Sequence, residues 1–416
     1  MTAGAFSDDA GGTAGEGPGR GQMLVLATVA FTSCFYAWSL LGPLGPELQD
    51  RLALSELELS AMVAVPVLLG SLMRIPLGFL TDRHGGRLIF SALMAWTVLP
   101  LLALVVWHES YPTLIVLSFL LGFAGASFAV GVPFVSRWYP PAQQGYALGI
   151  YGVGMGGTVL AGLTAPAIAD AWGIGAPFLV AAALLAIAAA AFAIVARDAP
   201  NRGGSPARTS MLGSLSVLRS SARAWALSLF YFVSFGGFVA MFLYLPKLLT
   251  AVHDLTKTDA GARAAGFALL AVLARPAGGA LADRVGATRV LRASFVATTA
   301  LAAILAVSYR DMVPLTAACL TLAVAFGLGT GAVFKLVAEW FPEQVGSVTG
   351  VVGAAGGLGA FFPPLVMGLV NAATGSYTLG FALLAAAAAA ALAVLVRIHN
   401  GRPANRTRLP HAPTQA

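Results

Sequence analysis

Twelve apolar runs of about twenty residues follow one another along this chain of 416 residues, and that recurrence limits its fold more than any single motif does. Each run is long enough to cross a hydrocarbon layer about 30 Å thick as a helix, and in lipid only helices and closed barrels satisfy every backbone N–H and C=O. The runs fall at roughly 22–44, 58–80, 88–107, 112–136, 145–169, 175–196, 223–250, 262–282, 288–308, 313–338, 345–371 and 376–398. With 58% hydrophobic and only 10% charged residues, nothing remains to build a soluble core. The expected fold is an all-α polytopic membrane protein of twelve transmembrane helices.

The chain is also doubled. RIPLGFLTDRHGG starts at Arg74 and RPAGGALADRVGA at Arg275, sharing R-x3-G-x-L-x-D-R-x-G at an offset of 275 − 74 = 201 residues. The same offset carries Gly149, Gly152 and Gly156 onto Gly350, Gly353 and Gly357, and a one-residue slip relates Trp138-Tyr139-Pro140 to Trp340-Phe341-Pro342. A stretch rich in Arg, Ser, Gly and Pro at 197–222 reads as a linker between two pseudo-symmetric six-helix halves, 22–196 and 223–398. Residues 1–21 are expected to be a disordered tail, too polar and glycine-rich to fold, and 399–416 a second tail. Secondary transporters are built from such repeats, with substrate near the midplane where the halves meet. The chain contains no G-x-x-x-x-G-K-S/T loop, which disfavours an ATP-driven machine.

Basic residues set the expected orientation. Of the 24 Lys and Arg, sixteen fall on the tails and even-numbered loops, whereas Arg51, Lys247, Lys257, Arg263 and Arg310 fall on the opposite side. By the positive-inside rule both termini are cytoplasmic. The net charge of +7 is then mostly a topology signal, and a nucleic-acid partner is not expected. Cys34 and Cys319 lie within spans and read as packing residues, so neither a metal site nor a cofactor is expected. The chain is expected to work as a monomer in the lipid bilayer.

Arg74 and Arg275 are the exceptional charges. Each lies eight residues before an aspartate at a span end, about 12 Å deep along a helix, which is farther than a snorkelling side chain of about 6 Å can reach. Guanidinium stays charged in proteins, and none of the 17 acidic residues lies at that depth. The simplest species that relieves two like charges is a small anion accepting from both forks. Lys335 differs, because it lies five residues before Trp340 and reaches the surface, so a structural or vestibule role is expected. Glycines three and four apart in GIYGVGMGGTVLAGLTAP and TGVVGAAGGLGAFFPPLVMG bare the backbone along one helix face. Ordinary helix packing accounts for many such patterns; two of them at the repeat offset, beside two arginines, point to a cavity for something small.

The loop Gly78-Phe-Leu-Thr-Asp82-Arg83-His-Gly85-Gly-Arg87 and its echo Gly279-Ala-Leu-Ala-Asp283-Arg284-Val-Gly286 resemble the major facilitator superfamily, which implies that fold. The resemblance assigns gating to Gly78, Asp82, Arg83, Gly85, Arg87, Asp283, Arg284 and Gly286, in loops that latch the halves on the cytoplasmic side. Gly350 to Pro364, Gly149 to Pro166, AVFKLVAEWFP and YFVSFGGFVAMFLYLP look like the nitrate/nitrite porter family. That likeness implies a planar anion clamped by Arg74 and Arg275, flanked by Tyr231, and lined by Gly154, Gly156, Gly157, Gly353, Gly356 and Gly357. Met155 stands where the family pattern has asparagine, so one amide donor is missing.

The expected function is secondary transport of nitrate or nitrite across the cytoplasmic membrane by alternating access, with empty return slowed by the unneutralised arginines. That would make exchange of one anion for another natural, while the coupling mode stays open and import of nitrate is slightly preferred. Proton symport is the competing mode, although His84, His108, His253, His399 and His411 all lie at ends, loops or the tail. Two rivals stand beside it: a superfamily transporter of another small anion, and a non-transporting nitrate sensor, for which linker and tails offer no output domain. No nucleophile, base or metal cluster at a common depth suggests an enzyme.

Overall fold

A computed structural model describes residues 19–200 and 221–400, so most of the expected tails and linker lies outside the described residues. Among the described residues there is no strand, and twelve helical stretches are long and apolar enough to span a bilayer. They are Arg20–Ser39, Ala61–His84, Gly86–Val106, Tyr111–Ser136, Pro141–Trp172, Ala176–Val195, Ala222–His253, Asp259–Val285, Ala287–Ser308, Met312–Trp340, Val345–Phe362 and Thr378–His399, hereafter spans one to twelve. An even number of crossings brings residues 19 and 400 to one side, the terminal face. Span one is shorter than expected, stopping at Ser39, and a separate helix, Gly45–Leu52, follows with proline in its first turn. Pro46 has no N–H to lose at that position, so a new helix starts there rather than the old one continuing.

The Asp-Arg-x-Gly loops are tight because of their last residue. Gly85 and Gly286 adopt φ of 92° and 94°, ending spans two and eight and starting spans three and nine at a single residue. A Cβ at Gly286 would meet nothing within 4 Å, so the positive φ alone demands glycine there.

The halves cross-pack through glycine on that same side. A Cβ on Gly78 of span two would meet the Gly346 carbonyl of span eleven, and a Cβ on Gly279 of span eight would meet the Gly145 carbonyl of span five. One turn deeper, Gly350 would meet the Arg74 carbonyl and Gly149 the Arg275 carbonyl. Helix backbones thus touch at pseudo-symmetric points, which only residues without a side chain permit. In span five the terminal-side segment Gln144–Gly152 packs on span eight, whereas Gly157–Trp172 packs on spans one and six.

Three spans are interrupted partway along their length. Span four breaks between Tyr111–Gly125 and Ser127–Ser136, span five carries a 3-10 turn at Val153–Gly156, and span seven a π turn at Phe232–Gly236. Such departures release backbone groups from the regular ladder and are tolerated in lipid where protein or water meets them.

Candidate functional site

Spans two and eight each bury one arginine well inside the helical stretch. Arg74 is 5% exposed and Arg275 3%, and among the described residues neither pairs with a carboxylate. Each stem lies on the glycine that the repeat puts opposite it in the other half. A Cβ on Gly353 would sit 3.0 Å from Arg74 Cδ, and one on Gly152 would sit 3.3 Å from Arg275 Cδ.

The two guanidinia are held differently. Arg74 Nε and Nη2 both donate to the Gly125 carbonyl at 3.2 Å, and Nη1 donates to the Gly353 carbonyl at 2.5 Å. The break in span four makes the first contact available: the Ala129 N–H bonds to Ala126 at 3.0 Å, which turns it away from the Gly125 carbonyl that a continuous helix would give it. Arg275 donates no hydrogen bond to the described residues; its guanidinium carbon stands 5.9 Å from the centroid of the Phe235 ring.

Tyr231 is buried, and its ring stacks on Phe235, the ring that the Arg275 guanidinium faces. It belongs to an aromatic box. Its ring stacks on Phe235 at 5.0 Å, lies parallel to Phe128 at 6.2 Å, and meets Phe334 edge-on at 4.7 Å. Sequence reasoning missed Phe128, Phe235, Phe334 and Gly125. The visible signal for Phe235 was its place one turn after Tyr231, within a π turn; the Gly125 carbonyl had none, because a helix break in an apolar run leaves no residue signature.

The glycines divide into two groups. Gly353 faces Arg74, Gly356 would drive a Cβ into the Tyr231 ring, and Gly357 faces Ser71, three residues before Arg74 in span two. Gly154 and Gly157 instead pack on Phe31 and Thr32 of span one, and Gly156 faces nothing within 4 Å. In span five Gly152, just before the 3-10 turn and the repeat partner of Gly353, is the residue that meets Arg275. Met155 is buried in the apolar core.

On the terminal face the two aspartates join the halves. Asp82 accepts from Gly346 N at 3.0 Å, Ser347 N at 2.7 Å and Ser347 Oγ at 3.0 Å, at the first turn of span eleven. Asp283 accepts from Gly145 N at 3.0 Å and Tyr146 N at 2.7 Å in span five. Carboxylates at helix N-termini are favoured by the unpaired N–H groups there. Asp82 also pairs with Arg137 at 2.7 Å, and Asp283 with buried Lys335 at 2.9 Å. Lys335 further reaches Glu339 at 3.5 Å and donates to the Pro141 carbonyl, a structural place at the face. Arg83 and Arg284 are exposed; Arg87 donates to the Ala193 carbonyl within its own half, and Asp198 caps span three through Gly86 N at 2.8 Å.

Comparison with known proteins identifies the setting. The Major Facilitator Superfamily model matches residues 27–262 and 248–415. A Mycobacterium tuberculosis protein described as "Probable nitrate/nitrite transporter NarK2" is 44% identical over 89% of this chain and 94% of its own length. The "Nitrite extrusion protein" of Bacillus subtilis is 38% identical over 90% and 93%, and the "Probable nitrate transporter NarT" of Staphylococcus epidermidis 35% over 92% and 98%. Among solved structures, the human organic anion transporter MFSD10 superposes with TM-score 0.79 at 15% identity, covering 91% of this chain and all of its own. The outward conformation of FucP gives TM-score 0.72 at 18% identity over 90% and 99%, a likeness of fold alone. The chain is a multi-pass membrane transporter that belongs to the nitrate/nitrite porter family of the major facilitator superfamily.

Proposed function

We propose that the protein carries nitrate or nitrite across the cytoplasmic membrane by alternating access, holding the anion between Arg74 and Arg275. The observation that carries this reading is the pair of buried guanidinia, one from each half, with no carboxylate on either among the described residues. A buried cation without a counter-charge is unfavourable by several kcal/mol in membrane, and a small oxyanion supplies both charge and acceptors. Aromatic faces of Tyr231 and Phe235 beside the forks suit a flat anion, and the backbone-to-backbone packing of the glycines leaves little room for a sugar.

In this cycle the anion joins the halves at the midplane while Asp82 and Asp283 hold the terminal face shut, taken as cytoplasmic. Opening that face requires both aspartates to leave the N-termini of spans eleven and five. Exchange of one anion for another is the preferred mode, because an anion neutralises the arginines on each passage.

Uptake of labelled nitrate into proteoliposomes tests the reading, with an imposed pH gradient compared against internal nitrite at matched pH. Stimulation by internal nitrite is the expected result, with external nitrite competing and small carboxylates failing to compete. Uptake driven by the proton gradient alone would replace exchange with symport. No uptake under either condition would remove the substrate assignment.

A further inference from the structure

The two arginines make different use of the same donor set. A guanidinium has five N–H groups. Arg74 directs two nitrogens at the Gly125 carbonyl of its own half and a third at the Gly353 carbonyl of the other half. Those three bonds join spans two, four and eleven across the interface. Gly353 lies in the same helix whose first turn receives Asp82, so span eleven is gripped from span two at two depths, by Asp82 at the face and by Arg74 at the midplane. Arg275 holds its stem against Gly152 of the other half, yet its nitrogens donate to no described residue.

We infer that Arg74 is an anion-released tie that keeps the terminal face closed, whereas Arg275 receives the entering anion; this rests on the anion reading above. The broken end of span four orients the tie. With Nε and Nη2 on Gly125, the guanidinium plane is fixed, and Nη1 is the donor that reaches across. An anion bound at Arg275 and drawn to the second positive charge competes with the Gly353 carbonyl for Nη1. A charged acceptor makes the stronger bond, so the anion displaces a neutral carbonyl. Span eleven then loses its deeper grip, and the contacts at the face itself, made by Asp82, Asp283 and Lys335, remain to hold it. Gly125 acts as a positioning residue through its carbonyl oxygen and does not touch the substrate.

A symmetric clamp makes a different forecast. If the arginines only repel each other, neutralising either one relieves the same repulsion and favours closure equally. The tie makes the two substitutions unequal: loss of Arg74 opens the face, whereas loss of Arg275 leaves it nearly as closed as before.

Spin labels on cysteines introduced at exposed His84 and Glu343, one in each half on the terminal face, report the opening as a distance distribution in the purified full-length protein. In anion-free wild type the short distance is expected to dominate. Arg74→Gln is expected to raise the open population about tenfold or more, as loss of hydrogen bonds from a charged group implies. Arg275→Gln should leave the anion-free distribution within about twofold of wild type and abolish its response to nitrate. Gly353→Ala provides a second route that keeps both charges, since its Cβ would press on Arg74 Cδ at 3.0 Å and turn the fork away from the carbonyl; it too should open the face without anion.

Equal shifts for Arg74→Gln and Arg275→Gln, with Gly353→Ala unchanged, would overturn the tie. A wild type that ignores nitrate while Arg74→Gln still opens would leave the tie standing and refute the nitrate reading. A nitrate response in wild type together with equal shifts in both arginine variants would do the reverse.

Discussion

The two Asp-Arg loops occupy equivalent places in the two halves and do the same job with different partners. Asp82 meets two backbone N–H groups, the Ser347 hydroxyl and Arg137, a pair whose side chains remain 14% and 18% exposed. Asp283 meets two backbone N–H groups and Lys335, and that pair is 7% and 4% exposed. Duplication therefore preserved the carboxylate and the helix end it grips, while the countercharge came from a loop in one half and from within span ten in the other. The more buried pair leaves a charge farther from water when broken, and the buried arginines repeat the lesson: equal residues at equivalent places in the repeat, unequal surroundings.

Substitutions at the arginines have the largest expected effects. Arg275→Lys keeps the charge and loses the planar fork, and nitrate uptake in proteoliposomes should fall about a hundredfold or more. Near-normal uptake would argue against clamping by a fork. The glycine contacts come next. Gly78→Ala and Gly279→Ala each push a Cβ into a backbone carbonyl of the other half, which no side-chain rearrangement relieves. Overpacking of this kind costs about 1–3 kcal/mol, so thermal unfolding in detergent should move down and uptake should drop in both variants.

The latch comparison is sharpened by replacing each aspartate. Asp283→Asn leaves Lys335 buried with Glu339 as its remaining carboxylate, whereas Asp82→Asn leaves Arg137 nearer to water. Breaking a buried pair costs about 3–5 kcal/mol and a partly exposed one less, so Asp283→Asn should lower the melting temperature more. Equal losses would mean that the helix N-termini, and not the cations, carry the interaction.

The smallest difference lies at the opposite ends of spans two and eight. Ser55 and Glu58 form a reciprocal cap, with Ser55 N donating to Glu58 at 2.9 Å, while Thr256 caps Asp259 N at 3.2 Å through its hydroxyl alone. Hydrogen bonds from the Ser55 backbone and hydroxyl hold the Glu58 carboxyl below its ordinary range. A lowered folded-state value means that its stabilisation is present above the unfolded value and is lost as pH falls through the folded one. Ser55→Ala should cost about 1 kcal/mol or less and remove that acid sensitivity, which a melting series across the carboxylate range detects. Thr256→Ala should cost a similar amount with no such pH dependence.

Most of the architecture was legible because lipid imposes it. Span number and the repeat that relates Arg74 to Arg275, both buried, follow from apolar length and from one repeated motif, and the loops that end in Gly85 and Gly286 follow from the same motif. What was not legible depends on local phase. Gly154 and Gly157 face span one, a 3-10 turn runs through Val153–Gly156, and regular helical spacing does not reveal such a turn. The Gly125 carbonyl became an acceptor through a helix break inside an unremarkable apolar run. The aromatic box was hidden for a third reason, since Phe128, Tyr231 and Phe334 come from three spans and no spacing in the chain relates them.

Direct binding of nitrate to the purified protein, measured by calorimetry for wild type, Arg74→Lys and Arg275→Lys, tests the two-arginine site without assuming a coupling mode. The account predicts saturable binding by wild type and its loss in Arg275→Lys over the same concentration range, with Arg74→Lys also weakened. Wild-type affinity in Arg275→Lys, or no binding by wild type at concentrations that support uptake, would contradict it.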